Sequence, residues 1–465
     1  MIKMKTITTL SSALLFSTLF YKQNIGLNLG LFTIFTILVL AITNREKFKK
    51  SDTFLKAMCY LITGVTIFFY KSDLTIIANI LAFFTLIGSI SEHQSSIYIK
   101  WVNGIYTTIV SFFSKYYDNL NSEIENVKKE KINYAYWIKI IGIPTVLILV
   151  FISLYRKGNP MFDELISKID FNFINFHWIL FTCLGYYLFN NIINPIQIEP
   201  ITKNDLNQGN ILTKNNLKDF SSKKLKEEKQ LGVVIMFLLN LLITFFIVTY
   251  VMHLLEIHNM LAPELSKQVH SGVNALIMSN ILAIIVILYF FRGNLNFLDN
   301  NKDLKKLTYG WILLNLIIVV ITFIINLEYV ISFGLTYKRI GVLFFLTATS
   351  VGLVTTFIKV SKIKNLWFLF RKNTQIAFTI IILSSTVNWD KIITFYNINN
   401  AAQVDIDYLI NLSYNNTFLL KDYSEKNNIN KTVKYKIDEK HHDYLCLLKS
   451  NSWQETIYDN LKIKK

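Results

Sequence analysis

Charge is scarce in this sequence. Only 17% of its 465 residues are charged, against about 25% in an ordinary soluble protein, while 52% are hydrophobic and the mean hydropathy is +0.38. That balance excludes a soluble globular chain, because runs such as Leu231 to Leu255 and Leu276 to Phe291 are apolar all round and leave no face for water. Prolines number five, and only Pro144 falls well inside an apolar run. Nearly every run can therefore keep an unbroken hydrogen-bond ladder, as hydrocarbon demands. The period-two alternation of a β-barrel is missing. Three cysteines cannot make a disulfide framework, and Cys59, Cys183 and Cys446 read as structural. Absent too are a Walker A loop, a kinase signature, HExxH, CxxC and GxSxG, so no catalytic residue, metal site or cofactor is assigned. Within the runs almost nothing is ionisable: Lys56, Lys139 and His177 lie near run ends, and Asn79, Asn240, Asn280 and Asn315 are neutral. A proton- or sodium-coupled transporter usually carries a buried carboxylate, so that reading loses weight, while neutral-solute transport stays open.

What is present is a series of apolar runs that places about eleven spans, at about 6–21, 26–43, 54–70, 74–90, 138–155, 176–193, 231–254, 272–291, 308–325, 340–358 and 374–389. Lys3 and Lys5 before the first run resemble a signal-peptide n-region, but no small-x-small cleavage site follows, so an uncleaved first helix is expected. The expected fold is all-α: a polytopic transmembrane helical protein with a small, mostly helical, water-facing C-terminal segment. Its parts are an N-terminal membrane part of about six spans plus an interfacial helix (1–193), a cytoplasmic linker (194–230), a C-terminal membrane part of about five spans (231–389) and an extracytoplasmic helical tail (390–465).

The net charge of +17 does not point to nucleic acid, since the lysines sit in the connectors. With the N-terminus in the cytoplasm, alternate connectors place about 27 basic residues inside and about 8 outside, as the positive-inside rule requires. The expected location is a bacterial cytoplasmic membrane, with the C-terminus outside. Lys223, Lys224, Lys226 and Lys229 flank the seventh span and suit anionic lipid, although a cytoplasmic flank needs no further role.

Residues 97–113 carry a helical apolar stripe with Lys100, Asn103 and Thr107 interleaved, which reads as an interfacial helix. A shorter stripe through Met161, Phe162, Leu165, Ile166 and Ile169 rests on the outer leaflet. The connectors 115–137 and 194–230 are too polar to bury a core, and no repeat of the transporter type links the two membrane parts. In the tail, apolar positions at 404, 406, 409, 410 and 412 predict a helix that docks on outer loops or a partner, because so short a segment is marginal for a core of its own.

Several ordered motifs carry a family resemblance: Gly272 to Ile277, Tyr289 to Asn296, Leu307 to Trp311, Asn315, Phe333 to Thr336 with Arg339-Ile340, Trp389-Asp390, Tyr396-Asn397, and Asp407 to Leu409 with Leu412-Ser413. Over roughly residues 230–415 the chain resembles an uncharacterised bacterial membrane family, domain of unknown function 4173, related to 4153. The resemblance implies a multi-pass membrane protein without an assigned activity.

Five residues are candidates for binding: His270, Thr336, Arg339, Asp407 and Tyr408. His253, Glu256, His258, Glu264 and His270 crowd one outer loop, yet His253 and His258 are five apart, off a single helix face, so capping of two helices is the plainer meaning and no metal is expected. Arg339 has the donor fork for an anion, against a structural role beside Gly334 and a Thr336 cap or a pairing with Glu328. Asp407 and Tyr408 belong to the family-like run, where a solvated acid beside an amphipathic anchor is the alternative. The expected function is that of a non-enzymatic membrane protein, an envelope sensor, assembly factor or transport component. The alternative is a membrane-embedded enzyme acting at the outer face.

Overall fold

The computed structural model describes residues 2–111, 140, 143–167, 176–214, 222–257, 262–298, 300–401 and 404–463. Among them the regular elements are all helical, apart from one isolated bridge between Ile211 and Lys364. Among the described residues six helices are long and apolar enough to cross a membrane, and Leu27–Thr43 and Leu276–Phe290 are shorter apolar helices. The about eleven spans expected from the sequence are thus not all met. Over the described residues Ile143–Gly158 and Phe176–Ile192 have 16 and 17 residues, some 25 Å at about 1.5 Å per residue, against a hydrocarbon core of about 30 Å. Ile2–Phe20 is diluted by seven serines and threonines from Thr6 to Thr18.

The chain forms two compact units, 1–22 with 106–195 and 23–105 with 196–465, a grouping that cuts across the linear order. In the first, helices α1 (Ile2–Phe20) and α8 (Phe176–Ile192) run antiparallel. Phe16 stacks on Phe181 with ring centroids 5.1 Å apart, Gly185 lets α8 approach the Ala13 carbonyl, and Lys5 donates to Asn194 Oδ1 at 2.9 Å. Helices α6 (Ile143–Gly158) and α7 (Pro160–Ser167) form a hairpin tied by Arg156 and Asp163 at 2.5 Å, with Asn159 capping α7.

The second unit begins with α2 (Leu27–Thr43), α3 (Ser51–Phe69) and α4 (Asp73–Ser91), packed in sequence. Gly30 meets the Gly64 carbonyl, and the buried Asn79 amide donates to Thr33 at 3.2 Å and Thr63 at 3.1 Å, since an amide among helices has no water to turn to. Helix α5 (Ile97–Ile109) folds back along α4, with Gly88 against the Lys100 backbone and Gly104 against Phe84. The interfacial reading of this stripe puts Lys100 and Asn103 towards water. In the structure those two are buried and Val102 and Ile105 are exposed, because Lys100 finds Asp52, and Asn103 finds Thr202 on helix α9 (Glu199–Asn207).

Helices α10 (Ser222–Ile257), α11 (Ala262–Phe290), α12 (Lys302–Phe333) and α13 (Tyr337–Ser361) share a core that includes Met236, Ile287, Phe291, Leu304 and Leu353. Lys359 is 1% exposed and donates to the Phe291 carbonyl at 2.6 Å, which fastens α13 to the end of α11. Helix α14 (Leu366–Ser385) packs on α13, α3 and α4, so it joins the early helices to the later bundle. The tail follows as α15 (Trp389–Asn400), α16 (Ile406–Ile410), α17 (Thr417–Lys426) and α18 (Lys431–Ser450).

Gly334 ends α12 with φ +79, in the left-handed region, and a Cβ there would stand 2.6 Å from Asn397 Oδ1. Gly334→Ala is therefore expected to cost about 2 kcal/mol from backbone strain and the displaced amide. Faster hydrogen exchange at 333–337 in the solubilised protein would register the loss, and an unchanged rate would contradict it.

Candidate functional site

The motifs that lie far apart in the sequence meet at one junction, where the ends of α12, α14 and the α3–α4 loop face the tail. Asp390 is its hub. It sits in the first turn of α15, 3% exposed, and accepts from Tyr337 Oη at 2.7 Å, from Asn415 Nδ2 at 3.1 Å and from Ser413 Oγ. Asn415 also donates to the Lys71 carbonyl at 2.9 Å. Asn397 engages both backbone groups of one residue, accepting from Leu335 N at 2.5 Å and donating to Leu335 O at 2.9 Å. This amide pairing holds α15 against the α12–α13 turn. Trp389 donates to the Ser384 carbonyl at 2.9 Å and meets Phe344 edge-on.

Three of the five sequence candidates enter this junction. Thr336 caps α13 by accepting from Arg339 N at 3.4 Å. Arg339 donates to the Phe333 carbonyl at 2.8 Å and to that of Gly334, and its guanidinium lies 4.0 Å from the Tyr329 ring centroid, so it caps the end of α12 instead of pairing with Glu328. Its buried Nε has no partner. Tyr408 Oη accepts from Tyr337 N at 2.9 Å, and burial pushes the Tyr408 phenol above its ordinary pKa. Asp407 points elsewhere, to an exposed pair with Lys436 at 2.8 Å. The side chains of His253 and His270, and His258 altogether, lie outside the described residues. So do residues 215–221 of the linker.

The tail is fastened by a lysine with no motif around it. Lys440, on α18, is 9% exposed and donates to the carbonyls of Ile410 and Leu412 at 2.8 Å, of Leu409 at 3.4 Å, and to Asn416 Oδ1 at 3.0 Å. Burial pushes its pKa down to about 8, with Asp390 pulling the other way. The far end of the tail adds backbone bonds, Leu27 N to the Thr456 carbonyl at 2.9 Å and Asn28 N to that of Gln454 at 2.8 Å. Gly26 allows this approach, since a Cβ would strike the Glu455 backbone.

Beside Asp390 lies a cavity of about 670 Å³. Tyr337, Trp389, Tyr414 and Tyr444 give it aromatic walls, and Lys71, Ser72, Asp73, Ser413 and Asn415 supply polar groups. Flat rings with a few hydroxyl, amide and carboxylate groups between them suit a small polyhydroxylated solute, whose C–H faces stack while its hydroxyls bond. Of these groups, sequence reasoning named Trp389-Asp390 and Leu412-Ser413 only as motifs. Tyr337, Tyr444 and Lys440 carried no signal, because nothing local distinguishes them from their neighbours.

A family model described as a domain of unknown function (DUF4153) matches residues 10–423. The match is to the relative and not to family 4173, and it reaches far beyond the 230–415 stretch that the motifs cover. No curated protein and no solved structure matches the chain.

Proposed function

Because the chain belongs to the family described as domain of unknown function 4153, we infer its role from its own geometry: a non-enzymatic, multi-pass membrane protein that binds a small polar solute at its tail junction and signals occupancy through the tail. The observation that carries this is the cavity beside Asp390, whose walls come from the α3–α4 loop, α13, α15 and the tail together. A solute there would touch the α3–α4 loop, the start of α13 and the Asp390 hub together. The alternative of an outer-face enzyme leaned on the histidine loop, whose side chains lie outside the described residues, and on the external tail. Hydrogen exchange with a panel of mono- and disaccharides tests the reading. A bound sugar should slow exchange at both 70–74 and 411–416, and no protection from any member of the panel would sink it.

Sidedness follows from the charge asymmetry. Spans numbering about eleven, an N-terminus in the cytoplasm and a tail outside fit a bacterial cytoplasmic membrane. In support, connectors assigned to the outside contact the tail within the second unit, as Asn24 with Glu455 and Lys71 with Asn415. Connectors assigned to the inside also meet, as Asp205 with Arg371. Reporter fusions should be active inside at Gln230 and outside after Lys465. The reverse pattern would refute the orientation.

A further inference from the structure

At the end of the second unit away from the tail, a cavity of about 430 Å³ opens between the start of α3, the α4–α5 turn, α9 and the start of α14. Lys56, Lys100, Arg371 and Lys372 line it, against the carboxylates of Asp52 and Asp205. Both carboxylates are already engaged. Asp205 accepts from Ser96 N at 2.8 Å, Ser96 Oγ at 2.6 Å, Tyr98 Oη at 2.9 Å and Arg371 Nη2 at 3.1 Å. Asp52 accepts from Lys100 Nζ at 2.5 Å and Ser89 Oγ at 2.9 Å.

Lys56 is left over. Its side chain is 6% exposed, its Nζ stands 3.7 Å from Asp52, and its other close neighbour is the Phe378 ring, 5.4 Å away. A lysine near a helix end ordinarily snorkels to water, but this one is covered and turned into the cavity. A buried ammonium with three donors, one ion-pair partner at 3.7 Å and a ring beside it has donors to spare for a further anion. The amide of Gln94 stands on the same wall, and Lys372 is exposed at the rim.

We propose that this cavity binds a phosphate group, carried by a lipid headgroup or by a small phosphate ester, with Lys56 and Lys100 as the buried contacts and Lys372 at the entrance. Arg371 positions the wall, since its guanidinium is held by Asp205 and by Asn210 Oδ1 at 2.8 Å. The volume exceeds what a bare phosphate needs and leaves room for the esterified part. Ile97 and Leu206 line the cavity and suit the carbon chain of a glycerol or the start of an acyl ester. The site is distinct from the lysine cluster at 223–229 and from the tail cavity.

The full chain in a neutral detergent, titrated with glycerol 3-phosphate, inorganic phosphate or short-chain phosphatidylglycerol, tests the site by thermal shift and native mass spectrometry. At least one ester should bind and stabilise. Saturation by glycerol 3-phosphate assigns a soluble ester, and saturation by the lipid alone assigns a headgroup. Lys56→Met should weaken binding about tenfold, the loss expected for a charged hydrogen bond, while the unliganded melting temperature stays at or above that of the wild type. Lys372→Gln, at an exposed position that cannot unfold the protein, should weaken binding about threefold through lost attraction. Failure of every ester to bind would overturn the proposal, as would full binding by both variants.

Discussion

Lys440→Met is expected to loosen the tail by about 3 kcal/mol, close to a hundredfold in hydrogen exchange over residues 406–450. Methionine fills the space of the lysine stem but strands the three carbonyls of Leu409, Ile410 and Leu412 and the Asn416 amide oxygen, all of which now accept from the ammonium. Lys436→Met is the control. Its partner Asp407 is 64% exposed and the lysine 50%, so its removal should change exchange by no more than about 0.5 kcal/mol. Equal effects of the two substitutions would remove Lys440 from its place as the fastener.

The same residue has a pH signature. In the unfolded chain a lysine keeps its proton to 10.5, whereas folded Lys440 gives it up near about 8. Between those values the unfolded chain holds more protons, so the docked tail should gain stability as pH rises through that window, and the burden of burying the charge is fully present below about 8. Lys440→Met should flatten that rise. A wild-type tail that loosens steadily from pH 8 to 10.5 would contradict the burial argument.

Asp390→Ala should have an effect of similar size, about 3 kcal/mol, because it leaves the Tyr337 and Ser413 hydroxyls as donors without their acceptor and takes away one of the acceptors of the Asn415 amide. Asp390→Asn should lie between, since an amide oxygen can still accept on one side but its NH₂ cannot on the other. Limited proteolysis of the intact protein reports the result. The wild-type tail should resist and the alanine variant should be cut within the tail, whereas equal resistance would mean that the Asn397 and Lys440 contacts hold the tail without the hub. Both substitutions lie outside the membrane-crossing helices, so the bundle of α10 to α13 should persist in either.

The tail also illustrates what a stripe of residues conveys. The apolar positions at 404, 406, 409, 410 and 412 marked a docking face, and in the structure they pack with Ile340, Ile393, Leu420 and Ile437. The partner was not legible, because an amphipathic helix shows which side it buries and not against what. The stripe at 97–113 was harder to read for the same reason. Polar residues in a helix face water only when nothing nearer can pair with them, and Asp52 and Thr202, distant in sequence, supply partners to Lys100 and Asn103.

The sequence by itself determined that this protein is helical and belongs in a membrane, since a chain with so little charge and such long apolar runs has no other way to satisfy its backbone. It also determined the order of the motifs from Phe333 to Ser413. Only the tertiary structure decided that these motifs share one junction, that Asp390 and Lys440 are the groups they close around, and that Lys56 is buried in the wall of a cavity at the other end. The physical reason is one of range. Hydropathy and helix periodicity act over a few turns and can be read along the chain, whereas a buried charge is defined by the oxygens that surround it, and those come from residues 24 to 31 positions away for Lys440 and 48 for Lys100.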